Sequence, residues 1–514
     1  MNCFPILLMV FGWTLAAAAP IGVLEIKPSA QVVVEINAGS VIRSTFPGKL
    51  FGFNINYRSF QDQLWDNESD QVYQHVLDNM SVFPSAIYRY PGGLVANGFD
   101  WTNAIGPIEH RLPQHTIFKK PPAKVRFGLD EYLALLKEVK GSFWYVMNLV
   151  GVDPMRPMQE GGEIQVALKN RQLAQYLLTN DPGQERYYQL GNELDRHRYE
   201  WDAEKYVSRS RKTMDAIRTI DKEAKFVAFL RDFTWTYKHD KSRGVSRPET
   251  FMATVFKGLP EVQDYSLHHY YNGKRKDGKS RDLTFWLKLL EKSIQDYRLL
   301  RGMDPNIWIT EHARQMSSRR PAKDLTVHYT SNLGGTLSTA DYLIAIAQIP
   351  QVKGAVWHGL NVGPWQLFDA RVHYNDLRPR PIYWGLRALR AMDLPNVLET
   401  HTASPNRSGY QGGYDVRAVA FADESRQQLG IWLVNYHAEP QSVQVRYQPL
   451  SGQAVDLRHH FISGQAGRSP DDMSVTPNQV LLTEELSKKF SQEGVLMLEA
   501  PPTSVSSYLI KGKP

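Results

Sequence analysis

The sequence predicts an α/β fold: a (β/α)8 TIM barrel followed by a C-terminal antiparallel β-sandwich. Three observations carry this expectation. From about residue 50 to 395, short apolar runs alternate with helical patterns, the mark of βαβ units and a parallel sheet. There are eight such runs, the number a closed barrel needs. After about residue 395 the helical period is lost, and β-like runs are separated by Gly, Pro, Ser and Asn clusters.

The candidate strands are Leu50–Tyr57, Ala86–Tyr90, Phe143–Leu149, Arg186–Asn192, Lys225–Phe229, Asp264–Tyr271, Ile307–Thr310 and Lys353–Trp357. Candidate helices between them include Gln71–Asn79, Leu129–Val139, Glu163–Leu178, Ala203–Ile220, Thr284–Leu300, Thr336–Ala347 and Trp384–Met392. A doubly wound open sheet is the rival arrangement, but no Gly-rich phosphate fingerprint opens any of these helices. In the C-terminal part, Val416–Phe421, Gln428–Tyr436, Gln441–Tyr447, Gly494–Leu498 and Ser504–Ile510 read as strands, and Thr483–Lys488 as a possible helical turn. Gly22–Val41 is also strand-like and is expected to join that sheet. The division is therefore 1–20 signal peptide, 21–46 N-terminal strands, 47–395 barrel and 396–514 sandwich.

The first twenty residues place an apolar stretch, Phe4 to Leu15, before small residues and an Ala-Ala-Ala site near Ala19. That is the layout of a cleavable secretory signal, too short for a membrane span. A secreted or periplasmic product without membrane insertion is expected. The single cysteine, Cys3, lies inside this segment. Disulfides, thiolate metal sites and a cysteine nucleophile are thereby excluded from the processed chain.

Of the 514 residues, 42% are apolar and 22% charged, so a large buried core is expected rather than disorder. The net charge of +7 is spread in short runs such as Lys274-Arg275-Lys276. Without a recognition motif it reads as a solvated surface, with a polyanionic substrate as the alternative, and nucleic acid is not expected. Twelve Trp and 25 Tyr are consistent with a site that stacks flat sugar faces, and equally with an aromatic core.

In a parallel barrel, chemistry sits at the C-terminal strand ends. The fourth strand ends in GNELD, with Asn192 and Glu193, and the seventh in ITEHA, with Glu311. The sixth ends in SLHHYY, where His268 and Tyr270 share a face. Arg89 ends the second strand before a PGG turn, Asn148 ends the third and Trp357 the eighth. Two carboxylates across one mouth are the minimum for retaining glycoside hydrolysis, at a separation of ~5–5.5 Å. Glu193 and Glu311 are the candidates for that pair. Asp195, Glu200, Asp202 and Glu185 rank below them because the loop splays them toward solvent. Asn192 can bond a sugar hydroxyl, Tyr270 can donate to Glu311, and Arg89 can hold the same carboxylate. Trp357, Trp101, Phe99 and Trp365 are candidate sugar platforms. His268 and His269 lack the spacing of a metal motif, so neither metal nor cofactor is expected. No G-x-S-x-G elbow exists, which disfavours a serine hydrolase.

These residues resemble the clan A retaining glycoside hydrolases. The run YRYPGGLVANGFDWTNAIGP (residues 88–107), GNELD, SLHHY and the ending LEAPPTSVSSYLI are similar to the family 51 α-L-arabinofuranosidases. LFGFNINY together with GNE and HHYY also resembles, more weakly, the family 79 β-glucuronidase and heparanase group. The resemblance spans about residues 45–514. It implies Glu193 as general acid/base and Glu311 as nucleophile, with Arg89, Asn192, His268 and Tyr270 in support. The arabinofuranosidases typically carry a substrate-binding Glu after the first strand, where Asn54 and Asn56 stand here. They place Asn after the PGG turn, where Leu94 stands, and an aromatic after the nucleophile, where His312 stands. These departures imply an altered substrate subsite. The expectation is thus a retaining glycosidase acting on a carbohydrate substrate. The alternatives are a glycosidase for acidic, uronide-containing glycans and a non-catalytic carbohydrate-binding protein.

Overall fold

The computed structural model describes residues 24–58, 64–115, 121–151, 160–181, 185–195, 199, 201–230, 248–274, 280–315, 329–361, 365–369, 378–465, 468–471 and 481–513. The signal-like segment lies outside them. Among the described residues, no helix is long and apolar enough to cross a membrane.

Eight parallel strands close into a barrel: Gly52–Asn54, Ile87–Tyr90, Ser142–Val146, Tyr187–Gln189, Lys225–Phe229, Asp264–Tyr271, Asn306–Arg314 and Val352–Trp357. Each overlaps one of the runs expected from sequence, and the open-sheet alternative is excluded by closure between the eighth strand and the first. The strands are apolar on both faces because both are covered, one by helices and the other by the barrel's own interior. Residues two apart along a strand point inward and stack in layers. The lowest layer is aromatic: Trp144, Tyr187 and Trp308 cluster with Ile87, Val227 and Val356. The next layer is polar. Arg89 stands two residues beyond Ile87, and Gln189 two beyond Tyr187. The Trp144 indole N–H donates to Gln189 Oε1 at 3.1 Å and joins the two layers.

The helices are α1 (Gln74–Met80), α2 (Leu129–Val139), α3 (Glu163–Asn180), α4 (Ala203–Arg218), α5 (Pro248–Gly258), α6 (Leu283–Arg301), α7 (Leu333–Ala347) and α8 (Pro381–Arg390). Helix α5 was not expected from sequence. Side-chain oxygens of Asp202, Asp282 and Asn332 cap α4, α6 and α7 by accepting backbone N–H bonds in the first turn. Helix α7 is buried on every side, since it lies between the barrel and the second sheet. Its Asp341 is paired there with Arg417 at 2.7 Å, both fully buried.

The second sheet runs in the order Leu482–Lys489, Ala454–Ser463, Ser504–Gly512, Gln428–Asn435, Val416–Ala422, Asn396–Ser404, Val32–Arg43, Gln441–Arg446 and Val495–Ala500. Neighbours are antiparallel except Val32–Arg43 beside Gln441–Arg446, which are parallel. Residues from both ends of this order share one core. Val416–Ala422 is buried throughout because alternate residues face different partners. Val416, Ala418 and Ala420 enter the sandwich core, while Val419 and Phe421 pack with the barrel core. The turn expected at Thr483–Lys488 is instead the edge strand Leu482–Lys489, paired along its length with Ala454–Ser463. Cross-strand pairing overrides the local helical preference of LTEELSKK.

Candidate active site

The mouth of the barrel holds a cavity of about 380 Å3 lined by Asn54, Asn56, Gly93, Leu94, Val95, Asn192, Glu193, Tyr270, Glu311, His358 and Trp365. Beneath it, Arg89 is fully buried and bonds four side chains at once. Its Nε donates to Gln189 at 2.8 Å, one terminal nitrogen to Asn54 at 2.6 Å and Glu311 at 3.2 Å, and the other to Asn192 at 2.5 Å. Arg89 thus ties the ends of the first, fourth and seventh strands to the second. A guanidinium suits this position because its planar fork donates in several directions.

Glu311 reaches the mouth through a β-bulge. Leu267 pairs with Ile309 but His268 with Glu311, so Thr310 is the extra residue on the seventh strand. Such bulges re-aim the side chains that follow. The Thr310 carbonyl accepts from Asn54 Nδ2 at 3.0 Å, and its hydroxyl contacts His268 Nε2 at 3.1 Å. Glu311 Oε2 accepts the Tyr270 O–H at 2.6 Å and lies 3.3 Å from His358 Nδ1. Burial pushes the Glu311 carboxyl up, but His268, His358 and Arg89 outweigh burial and the nearby Glu193, so it is held below its ordinary value. Burial pushes His358 the other way, below the ordinary histidine value. The space around Glu311 is tight. A Cβ on Gly93 would lie 2.6 Å from Glu311 Oε1.

Glu193 is presented differently. It sits on a turn in which Gly191 has φ +73° and Glu193 itself φ +48°. A left-handed glutamate is uncommon and costs free energy that its surroundings must supply. Asn97 supplies part of it by accepting the Asn192 N–H at 3.0 Å and donating to the Asn192 carbonyl at 2.7 Å. The Glu193 carboxylate lies 2.8 Å from His268 Nδ1, and that nitrogen is 3.5 Å from Glu311 Oε2. One oxygen from each glutamate and one His268 nitrogen all lie within 4.8 Å of one another. This trio has the donor set of a metal site, but the Arg89 charge on Glu311 works against a cation there. Asn192 Nδ2 is buried at the cavity wall and has no protein hydrogen-bond partner among the described residues.

Of the residues singled out from sequence, Glu193, Glu311, Asn192, Tyr270 and Asn54 line the cavity, while Arg89 and His268 bond residues that do. Four of the proposed sugar-binding residues do not come to it. Asn148 is spent on its own loop, accepting from Val150 and Gly151 and donating to the Phe99 carbonyl at 3.1 Å. Trp101 packs against Tyr176 on α3 and donates to the Lys169 carbonyl. Trp357 is buried against His312 and donates to the Trp365 carbonyl at 2.8 Å. Phe99 packs on Tyr57 and Tyr90, leaving Trp365 as the one proposed platform that lines the cavity. His358, Asn97 and Thr310 were not anticipated. His358 directly follows the eighth strand, which is the signal that could have found it.

No family model matches the chain. Over 217 residues it is 30% identical to an intracellular exo-α-(1→5)-L-arabinofuranosidase of Streptomyces lividans, an alignment covering 40% of this chain and 30% of that protein. It is 23% identical over 235 residues to the enzyme of the same description from Acetivibrio thermocellus, covering 43% of this chain and 44% of that one. The chain thus spans less than half the length of these curated relatives. Among solved structures, the Thermotoga maritima α-L-arabinofuranosidase in its arabinose complex superposes with a TM-score of 0.71 at 16% identity, covering 94% of this chain and all of that one. In sequence over two-fifths of its length, and in fold over nearly all of it, the chain is similar to the family 51 arabinofuranosidases.

Proposed function

We propose that the chain is a retaining glycoside hydrolase of the arabinofuranosidase type with an altered substrate subsite, and that it is secreted. The observation that carries this is the carboxylate pair: two glutamates from opposite sides of the barrel with oxygens within 4.8 Å, in one cavity and in unlike surroundings. The separation suits direct attack on the sugar, whereas inverting enzymes keep ~6.5–9.5 Å for a water.

Glu311 is the nucleophile. Arg89, Tyr270 and the two histidines favour its charged form, and the first two fix its orientation. Glu193 is the general acid. Its carboxyl faces the same cavity as Glu311, where it can pass a proton to the departing oxygen. In the first step a Glu311 oxygen bonds the anomeric carbon, the glycosidic C–O bond breaks, and the Glu193 proton passes to the leaving oxygen. In the second, water attacks the glycosyl–enzyme ester, gives its proton to Glu193 and releases Glu311. The unpaired Asn192 Nδ2 donates to a hydroxyl beside the reacting carbon. Trp365 supplies an apolar face for the ring.

Among the described residues no lysine or arginine lines this cavity, and Arg89 beneath it is committed to four partners. That favours a neutral sugar over an acidic one. The apolar Leu94 lines the wall where family 51 places an amide, which is the altered subsite.

The test is reducing-sugar release by wild type and Glu311→Ala on arabinans, xylans, β-glucans, uronic-acid polymers and bacterial exopolysaccharides. One polymer should be cut, and the variant should lose at least ~10³-fold. Equal cleavage by the variant refutes the nucleophile assignment. Saturable binding without cleavage of any polymer supports a non-catalytic carbohydrate-binding protein instead.

A further inference from the structure

The opposite, N-terminal face of the barrel carries a larger cavity, of about 990 Å3. It lies beneath the aromatic layer, where the chain leaves the sandwich strand at Arg43 and enters the barrel. The hydrolytic reading does not use it.

Most charges around this cavity are matched. Arg218 pairs with Glu261 at 2.8 Å and Arg390 with Asp393 at 3.2 Å. Lys49 and Lys225 share Glu185. Asp264 accepts the Trp308 indole N–H at 2.7 Å and feels the charges of Lys225 and Lys353 without an ion pair to either. Two cations remain. One terminal nitrogen of Arg43 donates to the carbonyls of Ile349 and Val352 at 2.9 and 2.6 Å, and among the described residues no carboxylate pairs with it. Lys353 donates to the Pro350 carbonyl at 2.8 Å and likewise has no carboxylate within ion-pair distance among them. Both line this cavity, and Arg43 bonds the carbonyl of the residue before Lys353. Burial pushes the Arg43 guanidinium down to about 10. Burial and the Arg43 charge together lower Lys353, against the pull of Asp264 and Asp304. A part-buried arginine and an exposed lysine on one cavity wall, neither paired with a carboxylate among the described residues, can both be neutralised by one anion.

We propose that this face is a second ligand site, which binds an acidic oligosaccharide through a carboxylate held between Arg43 and Lys353. The cavity is far larger than a lone oxyanion needs and lies at the upper end of the ~300–1,000 Å3 range of small-molecule sites. Its wall is mixed: Phe46, Pro47 and Pro350 stand among the charged groups, and a saccharide presents apolar ring faces as well as oxygens. The choice of a saccharide rests on the hydrolase reading above, but the anion site does not. Acidic residues of a mixed glycan are held here, away from a mouth whose described walls carry no free cation.

Isothermal titration calorimetry tests this with trigalacturonate, neutral galactotriose and sodium sulfate. The proteins are wild type, Lys353→Gln, Arg43→Gln and Glu311→Gln. Trigalacturonate should bind one to one and about tenfold or more tighter than galactotriose or sulfate. Lys353→Gln, an exposed position that leaves the fold intact, should weaken it about fivefold or more. Arg43→Gln should weaken it further, and Glu311→Gln should not change it. Raising salt from about 20 mM to about 0.3 M should weaken it severalfold. Equal affinity for galactotriose, or no effect of Lys353→Gln, overturns the site. Sulfate binding as tightly as the trisaccharide reduces it to an inorganic anion site and overturns the saccharide assignment. Loss in Glu311→Gln moves the ligand to the mouth and likewise overturns it. The readout is binding, so a failure to find hydrolysis leaves this result independent.

Discussion

Tyr270→Phe is the cleanest probe of how Glu311 is kept charged. The change deletes one hydroxyl and keeps the ring, which packs edge-on to His358 at 5.5 Å between centroids. The lost interaction is the 2.6 Å O–H···O− bond to Glu311 Oε2. A hydrogen bond to a charged group contributes ~1.5–3 kcal/mol. At ~1.36 kcal/mol per unit, its loss moves the Glu311 pKa by about 1–2 units. Little solvent screening reduces this figure, because the Glu311 side chain is only 7% exposed.

The direction follows from which form the bond stabilises. Burial raises the carboxyl, and His268, His358 and Arg89 bring it below its ordinary value. The hydroxyl also donates to the charged form, so deleting it moves the pKa up. The acid limb of kcat/KM reports the nucleophile in the free enzyme. It should therefore shift upward by about 1–2 units, with a smaller loss near neutrality, where Glu311 stays ionised in both proteins. The assay is kcat/KM from about pH 3 to pH 8 on the best substrate of the panel, with circular dichroism to confirm folding. A limb that stays within about 0.3 unit would refute the argument that this hydroxyl holds the charged form.

Three further outcomes follow from the same geometry. Gly93→Ala places a methyl only 2.6 Å from Glu311 Oε1; a carboxylate pushed aside by about 1 Å to relieve that contact should cost about 10²-fold in kcat/KM, read by steady-state kinetics. Asn97→Ala removes both bonds to the Asn192 peptide and should lower kcat most on substrates with poor leaving groups, where protonation by Glu193 matters, and Asn97→Asp should restore only part of this because it keeps the acceptor alone. Arg417→Met strips the buried Asp341 of its cation and leaves it only the Tyr414 and Tyr436 hydroxyls, which should cost about 3–5 kcal/mol in chemical denaturation while kcat/KM at 25 °C stays near wild type.

The barrel was legible because its strands are short apolar runs between helices with clear periodicity, and because strand ends are where polar residues stand out. That reasoning found Glu193, Glu311, Arg89, His268 and Tyr270. It failed where the outcome depends on what a side chain meets after folding. Asn148 stands at a strand end like Asn192, yet its carbonyl oxygen closes its own loop through Val150 and Gly151. Trp357 points away from the barrel interior, because its neighbour Val356 faces inward, and it packs against His312. Asn97 looks like an ordinary loop amide until the fold sets it against a peptide 95 residues away. The bulge at Thr310 leaves no trace in periodicity, because the segment is buried on both sides of it. The edge strand Leu482–Lys489 was misread for the converse reason: its residues are exposed and its strand state comes wholly from its neighbour.

The unlike roles proposed for the two glutamates trace back to backbone rather than to the carboxylates. Glu311 extends from a strand, so its position is set by the bulge at Thr310 and by groups on other barrel strands that are themselves locked in the ladder. Arg89 and Tyr270 can then be aimed at it with little freedom, and a fixed set of donors is what a nucleophile needs to stay charged in a buried place. Glu193 hangs from a left-handed turn beyond its strand, steadied by Asn97 through the preceding peptide, with His268 at its carboxylate. Its side chain is 17% exposed against 7% for Glu311. A group that must hand over a proton and take one back from water has to meet solvent, whereas a group that must bond carbon has to be shielded from it. Moving Glu193 onto a regular strand would bury it beside a second charge, and shortening the seventh strand by its bulge would turn Glu311 away from the mouth. The asymmetry that supports the double-displacement reading is therefore built by the turn at Gly191 and the extra residue at Thr310.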